Sequence, residues 1–446
     1  MLSASYKDHI KKTLLLAYPV CISQFGHIMV GVADTAMVGM IGTREQAAVA
    51  LANSLFFLIL VFSIGLSMGI TPPVAAADAQ NDIEKKSQLI RHGLFLNFIS
   101  SIVLFVVLYC MTPLLRHMDQ EADVVESAIP FFNVMIFSLI PLSFFFTFKQ
   151  FTEGMSDTKM AMIVTILSNV LNVILNYVLM FGKCGIAPMG LMGSAWATFI
   201  SRVVMAVWMF FYIYFSPKYK VYWKKLFPLN IKLDVSKKIL GIGIPSGLQW
   251  VFEVGAFSVA ALMAGWMGKT QQAAHQVALS LAAITYMVAS GISAAATVRV
   301  GNFHGLKDKD GVKKAGITAY GIVIGFMSCS ALMFIVLSSI LPQLFSKDEQ
   351  VIQLASSLLI IAAFFQLFDG TQVVGLGILR GLNDTVISTV VTLVAYWIIA
   401  VPISYCFAFK LNYGIQGIWW GLSIGLIVVA VFLYWRFKYL ISHYLM

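Results

Sequence analysis

Three acidic residues stand alone within long apolar segments of the chain. Asp34 lies in "GVADTAMVG", Glu253 in "WVFEVGAF" and Asp369 in "FFQLFDGTQVV". On insertion scales a charged side chain at the centre of a membrane-spanning helix costs about 2.5–3.5 kcal/mol. Each acid is therefore expected to face an aqueous cavity, to take up a proton or to hold a cation. The last two alternatives are reversible binding of a positive species inside a membrane.

Asparagines in a separate apolar segment could act together with Asp34. The stretch "SNVLNVILNYVL" places Asn169, Asn172 and Asn176 at spacings of three and four, on one face of a helix. Amide oxygens together with a carboxylate suit a hard alkali cation or a protonated acid. Asparagine stripes also hold membrane helices together, and the sequence leaves both interpretations open.

A structural ion pair with an intramembrane base is the alternative for each acid. Inside the predicted spans the candidate bases are Arg202, His27 and His275, of which Arg202 is the only Lys or Arg clearly within a span. This scarcity of bases favours a functional interpretation of the acids.

The composition requires a membrane to surround these segments. Of 446 residues 59% are hydrophobic and 11% charged, whereas about 25% of residues in soluble domains are charged. Charges, Gly and Pro divide the chain into twelve apolar segments, from about 13–41 to about 415–435. Backbone groups in lipid must bond internally, so the sequence predicts an all-α integral membrane protein with twelve transmembrane helices.

The basic residues that give the net charge of +10 are distributed unevenly between the two sides of the membrane. If the amino terminus is cytoplasmic, the cytoplasmic segments hold 23 of the 30 Lys and Arg. This imbalance predicts a multi-pass protein of the cell (inner) membrane with both termini in the cytoplasm, and it argues against binding to nucleic acid.

No spacing of residues predicts an enzyme. The five cysteines are scattered singly, the seven histidines are dispersed, and no HExxH or comparable pairing occurs. The chain is therefore expected to be neither an enzyme nor dependent on a cofactor.

The chain contains an internal repeat with an offset of 226 residues. From Pro19 and Pro245 to Gly65 and Gly291 the two copies share 11 identities in 47 positions. Further along, "EGMSDT" at 153–158 pairs with "RGLNDT" at 380–385. The repeat predicts two pseudo-symmetric six-helix bundles, residues 1–215 and 239–446, joined by a basic cytoplasmic linker, residues 216–238.

Taken together, these motifs resemble a known family. "VADTAMVGMIG", "EGMSDT", "RGLNDT" and "GLMGSAWATFIS", arranged in two six-helix lobes, look like the multidrug and toxic compound extrusion (MATE) transporters. A glutamate in helix 7 with an aspartate in helix 10 resembles the NorM-like branch. The resemblance covers nearly the whole chain and implies the MATE fold and export driven by Na+ or H+.

The resemblance also implies two cation-coupling sites, either of which could hold Na+. One falls on Glu253 and Asp369; the other maps to Asp34, Asn172, Asn176 and Thr198. The sequence departs from the family at two positions. Asn176 stands where some relatives have an acid, and Phe365 stands where NorM-type members can have a tyrosine.

The resulting hypothesis is a secondary active antiporter that exports lipophilic organic cations in exchange for Na+ or H+ by rocking of the two bundles. Coupling ion and substrate compete for Asp34, Glu253 and Asp369, while Trp250 and Phe252 offer aromatic faces to a cationic substrate. The alternative is a flippase for lipid-linked precursors of the same architecture. Lipophilic cations and membrane lipid are the expected partners, and the protein is expected to be monomeric.

Overall fold

Twelve long helices form the architecture seen in the computed structural model, which describes residues 6–118, 120–223 and 231–443. Each helix is long and apolar enough to cross a membrane, which confirms the predicted fold class. From α1 to α12 their bounds are Tyr6–Gly39, Thr43–Ala79, Ile83–His117, Ala122–Gly154, Lys159–Phe181, Leu191–Phe215, Leu233–Met267, Lys269–Gly305, Lys309–Val336, Glu349–Gly381, Thr385–Lys410 and Gly414–His443.

Local irregularities interrupt the interior of α2, α4 and α11, and α3 ends in a 3₁₀ segment, Thr112–His117. A 3₁₀ turn at Met68–Ile70 interrupts α2 just before two consecutive prolines, and Ser138 separates the two halves of α4. Helix α11 contains two π-helical stretches, Val394–Ala400 and Cys406–Lys410, on either side of a segment that contains Pro402. π turns are rare and often occur at functional sites.

Packing divides the chain into two compact units. The N-terminal unit is Ile22–Gly247, and the C-terminal unit is Met1–Cys21 together with Leu248–Met446. Helices α1 and α7 therefore each contribute one part to either unit, and the two division points are 226 residues apart, as in the repeat. The predicted lobes and linker follow the sequence repeat rather than packing, and they stay a prediction.

Repeated glycines allow close helix crossings within each unit. In the N-terminal unit a β-carbon on Gly65 would lie 2.5 Å from the Gly247 Cα. In the C-terminal unit a β-carbon on Gly291 would lie 2.9 Å from the Cys21 backbone nitrogen and 3.1 Å from the Ala17 carbonyl oxygen. Gly65 and Gly291 are paired by the repeat, and the same close approach of backbones explains why both positions are glycine.

The two repeated motifs form turns that anchor the last helix of each bundle. Ser156 and Asn383 have positive φ angles of 58° and 62°, and an aspartate follows each. Asp384 accepts a hydrogen bond from Arg436 Nε of α12 at 2.7 Å. The aspartate of the other turn, Asp157, is bound by tyrosine hydroxyls instead.

Asp157 performs the equivalent task with tyrosines. Its Oδ2 accepts hydrogen bonds from the hydroxyls of Tyr212 at 2.8 Å and Tyr219 at 2.7 Å. Tyr219 lies beyond the end of α6 and is fully buried. Burial and the neighbouring Asp157 carboxylate raise the pKa of the Tyr219 hydroxyl well above its usual value.

Candidate functional site

The N-terminal unit joins the four residues predicted around the helix 1 acid into one hydrogen-bonded chain. Asn176 Nδ2 donates to Asp34 Oδ1 at 2.6 Å and to Asn172 Oδ1 at 3.0 Å. Asn172 Nδ2 in turn donates to Thr198 Oγ1 at 3.4 Å. The i, i+4 spacing of the two asparagines on α5 places both amides on the face that meets α1 and α6. Asn169 does not join this chain, and its amide nitrogen lies next to Gly26 of α1 instead.

The charge of Asp34 is compensated from two directions. It accepts the amide hydrogen bond, and the charge of Arg202 acts on its carboxylate. The Arg202 guanidinium donates to the Ser138 hydroxyl and lies 5.3 Å from the centre of the Phe56 ring. The acid therefore lies within a polar network of side chains and is not isolated in hydrocarbon.

The donor set suits a monovalent cation. Asn176 is fully buried, and within the described residues its Oδ1 has no hydrogen-bond partner. A carboxylate, amide oxygens and a hydroxyl are hard oxygen ligands, which fits Na+ at Asp34, Asn172, Asn176 and Thr198. No group of three or more His, Cys, Asp and Glu suited to a metal ion occurs in the part of the chain that the structure describes.

An open groove runs along α1 on another side of this site. Its lining residues come from α1 and the first turn of α2 and are almost entirely apolar: Ile28, Gly31, Val32, Thr35, Ala36, Gly39 and Gln46. Asp34 is not among these residues. The groove and the acid are thus presented by different faces of the same helix.

The C-terminal unit places Glu253 of α7 and Asp369 of α10 on two helices that contact each other near the acids. The two side chains are 6% and 3% exposed, and one turn from each acid the Phe257 ring of α7 meets the Phe365 ring of α10. Tyr286 of α8 contacts Trp250, one turn before Glu253. Two buried acids on contacting helices favour uptake of a proton or a cation over a state in which both are ionised.

Aromatic side chains surround this acid pair. The Phe365 ring lies 6.0 Å from Phe257 and 5.3 Å from Trp419, and Trp250 meets Tyr286 edge to face at 6.3 Å. These contacts and the low exposure leave no open face of either carboxyl for a large organic cation in this conformation. A proton or a small ion needs no such face.

The two predicted aromatic substrate contacts lie next to the buried acid without covering it. Trp250 and Phe252 are both partly exposed, whereas Glu253, which directly follows Phe252 on α7, is buried. The Phe252 carbonyl oxygen accepts a hydrogen bond from Trp397 Nε1 at 3.0 Å. The geometry thus groups the predicted residues, and the role of each in binding an ion or a substrate stays a prediction.

Sequence reasoning missed four uncharged polar side chains that lie on or contact α7 and α10 near the two acids. They are Tyr286, Gln372, Tyr396 and Trp397. The Tyr396 hydroxyl donates to Gln372 Oε1 at 3.0 Å, and both side chains are fully buried. Gln372 could have been found in the sequence, because it lies one helical turn from Asp369. Nothing in the sequence indicates that α8 and α11 approach the same acids.

Sequence reasoning also undercounted the bases within the spans, and this is a correction. Lys149, Arg299 and Arg380 lie in α4, α8 and α10 and are buried, because these helices extend past their apolar runs. Lys149 Nζ lies 3.8 Å from Glu153 Oε1, so it has an acid of its own. Scarcity of bases is therefore a weaker argument against the flippase alternative than the sequence indicated.

Of the two histidines named as candidate partners for the acids, His275 does not serve as one. His275 is buried beside Trp419, with ring centroids 5.8 Å apart. Within the described residues neither of its ring nitrogens has a hydrogen-bond partner. Neutralisation of Glu253 or Asp369 by His275 is thus not observed.

Comparison with known proteins agrees with the repeat and the fold. Residues 19–178 and 245–406 each match the MatE family, and these matches begin at the first paired positions of the repeat. The probable multidrug resistance protein NorM of Pseudomonas putida is 32% identical over 442 residues, which is 97% of this chain and 96% of that protein. The multidrug resistance protein NorM of Aliivibrio fischeri is 31% identical over 444 residues, 98% of this chain and 95% of that protein.

Solved structures show the same fold. The crystal structure of MATE in the bent conformation superimposes with a TM-score of 0.89 at 21% identity and covers 98% of each chain. The expected resemblance to NorM-like MATE proteins is thereby confirmed. The chain belongs to the MatE family, in its NorM-like part, and is a multi-pass membrane transporter.

Proposed function

We propose that the protein is a secondary active multidrug efflux antiporter that exports lipophilic organic cations in exchange for Na+ or H+. The printed names of its NorM relatives describe multidrug resistance, which supports this class of substrate. The observation that carries the proposal is the burial of Glu253 and Asp369 on two contacting helices of the same unit. A membrane protein that retains two such buried acids at this cost needs them for a positive species.

In this proposal the ion and the substrate bind in different ways. The coupling ion occupies the acid pair directly, because a proton or Na+ fits between side chains that are 6% and 3% exposed. The organic cation is attracted by the charge of the empty pair and contacts the partly exposed Trp250 and Phe252. Direct contact with either carboxyl requires a conformation in which α7 and α10 expose it.

Asp34 provides a second coupling site in this proposal. Its hydrogen-bonded chain to Asn176, Asn172 and Thr198 offers oxygen ligands to Na+, or a proton can occupy the carboxyl. Binding of the ion and of the substrate is mutually unfavourable at each site, so the ion gradient drives export as the two bundles rock between orientations. The coupling can be no larger than the difference in ion affinity between the two orientations.

The orientation in the membrane follows from the charge distribution. With both termini in the cytoplasm, 23 of 30 Lys and Arg occupy cytoplasmic segments. We place the protein in the inner membrane as a monomer surrounded by lipid, with no cofactor besides the coupling ion.

Efflux from vesicles tests the proposal. Export of a fluorescent lipophilic cation is measured under separately imposed Na+ and pH gradients for wild type, Glu253→Gln, Asp369→Asn and Asp34→Asn. Loss of gradient-driven export in the neutralised variants, with export retained in Glu121→Gln on the exposed surface, supports the proposal. Wild-type export by all three neutralised variants under both gradients would falsify it.

The flippase alternative is favoured only by the additional buried bases, Lys149 and Arg299 among them. The same vesicles test it with a lipid that carries a fluorescent anionic headgroup. Translocation of this lipid without any effect of an ion gradient would replace the antiporter by a flippase.

A further inference from the structure

The first π-helical turn of α11 reaches both helices that carry the acid pair. Tyr396 and Trp397 are consecutive residues of the turn Val394–Ala400. Trp397 Nε1 donates to the Phe252 carbonyl oxygen of α7 at 3.0 Å, directly before Glu253 in the chain. The Tyr396 hydroxyl donates to Gln372 of α10 at 3.0 Å, one helical turn after Asp369.

Contacts on α7 flank Glu253 on both sides. Gln249 Nε2, one turn before the acid, lies 3.4 Å from the Thr392 hydroxyl oxygen of α11. Phe257, one turn after it, meets the Tyr396 ring with centroids 6.1 Å apart. Helix α11 therefore contacts α7 one turn before, one residue before and one turn after the acid.

The surface of α7 is shaped to receive the Trp397 ring. A β-carbon on Gly255 would lie 2.9 Å from Trp397 Cζ2, which is closer than side chains tolerate. Glycine at this position lets one edge of the indole approach the backbone, where its N–H reaches the Phe252 carbonyl. The indole is still 39% exposed, so the contact is made by one edge of the ring.

The chain itself accounts for the irregular turn. Pro402 has no backbone N–H, and its ring clashes with the carbonyl four residues earlier, that of Ile398. A wider turn around Ile398 accommodates both effects and changes the directions of the side chains that precede it. Within this turn Tyr396 contacts α10 and Trp397 contacts α7.

We propose that this π turn is the positioning element of the acid pair, with Trp397 fixing α7 beside Glu253 and Tyr396 fixing α10 beside Asp369. The inference rests on the proposed function and adds residues to it that bind neither ion nor substrate directly. Holding two acids at a fixed separation determines how tightly a shared ion binds.

Conservative substitutions separate this role from simple packing. Trp397→Phe keeps a ring and removes the N–H, and Tyr396→Phe keeps the ring and removes the hydroxyl. Matched controls are Tyr405→Phe on the same helix and Trp435→Phe on α12, which are 46% and 56% exposed. Gly255→Ala displaces the indole from the other side of the contact.

The readout is the Na+ or proton concentration at half-maximal export, measured with the apparent KM for a fluorescent cation. Each of the two ring-preserving variants is expected to shift the half-maximal ion concentration about 2- to 10-fold, the range that one hydrogen bond contributes to an equilibrium. Gly255→Ala shifts it in the same direction as Trp397→Phe, and the KM for the cation changes less in every variant.

Two outcomes overturn different claims. If Trp397→Phe and Tyr396→Phe match their controls in ion dependence while Glu253→Gln and Asp369→Asn lose coupled export, the π turn does not position the acids. If the two acid variants export normally, the proposed function itself fails. Pro402→Ala, which restores the N–H, is expected to reproduce both ring-preserving variants together.

Discussion

The close crossing at Gly65 gives a prediction whose sign follows from the coordinates. In Gly65→Ala the new β-carbon would lie 2.5 Å from the Gly247 Cα and 2.7 Å from the Ser246 carbonyl oxygen. Both contacts are with backbone, so no side-chain rotation relieves them and α2 must move away from α7. The free energy of unfolding of the N-terminal unit should therefore fall.

The magnitude is the difference between two effects. Overpacking a well-packed contact costs about 1–3 kcal/mol, while alanine in a helix is favoured over glycine by about 0.5–1 kcal/mol. The expected net loss is about 1–2 kcal/mol. Gly291→Ala should destabilise the C-terminal unit by a similar amount, because its β-carbon would lie 2.9 Å from the Cys21 backbone nitrogen.

Thermal and denaturant unfolding of purified protein in detergent measures the effect. Gly321→Ala on α9 is the control, since a β-carbon there meets no atom within 4 Å. This control should be as stable as wild type or up to about 1 kcal/mol more stable. Equal midpoints for Gly65→Ala and Gly321→Ala would show that the two backbones do not pack as closely as described.

Three further predictions concern individual contacts. Asp384→Asn should lower the unfolding free energy by about 1–3 kcal/mol, because it leaves the Arg436 guanidinium without its carboxylate. The double variant Asp384→Arg with Arg436→Asp should recover part of this loss, and no recovery would show that the pair contributes no direct attraction. The free energy of unfolding should be constant below about pH 10 and fall above it, because an unfolded tyrosine loses its proton there while Tyr219 beside Asp157 keeps its own. For Tyr219→Phe the free energy of unfolding should fall less steeply with rising pH. Parallel curves for wild type and variant would contradict the assignment. Asn176→Asp puts a second carboxylate beside the helix 1 acid and should lower the Na+ concentration at half-maximal export, whereas unchanged ion dependence would exclude this position from a coupling site.

The sequence predicted the elements of this fold because hydrocarbon imposes a simple rule on each of them. Runs of apolar residues give the spans, and the cost of a buried charge singles out Asp34, Glu253 and Asp369. The asparagine spacing predicted that Asn172 and Asn176 share a face of their helix, and the resemblance to the family placed both beside Asp34, which Asn176 contacts. These inferences need only local spacing or a single energetic term.

Tertiary neighbours were outside the reach of such rules. Tyr286 and Tyr396 come from helices whose distance from the acids is set by packing, and neither residue is unusual in an apolar segment. The π turn follows from the response of a whole helix to Pro402, which a regular 3.6-residue pattern does not contain. Helix ends were also missed, since Lys149 and Arg299 remain helical and buried past the apolar runs.

The division of α1 and α7 between the two units was likewise not predictable from local sequence patterns. Cys21 and Gly247 are interior residues of continuous helices, with no charge or loop to mark a boundary. Only the packing of glycines against neighbouring backbones, as at Gly65 and Gly291, reveals which unit each half-helix belongs to.

Equilibrium binding of a fluorescent lipophilic cation to the purified protein, titrated at several Na+ concentrations and pH values, tests the central claim most directly. If Glu253 and Asp369 form the ion site, wild type binds the cation more weakly as Na+ or protons fill it, and Glu253→Gln with Asp369→Asn abolishes that dependence. Undiminished ion dependence in the doubly neutralised variant would contradict the account.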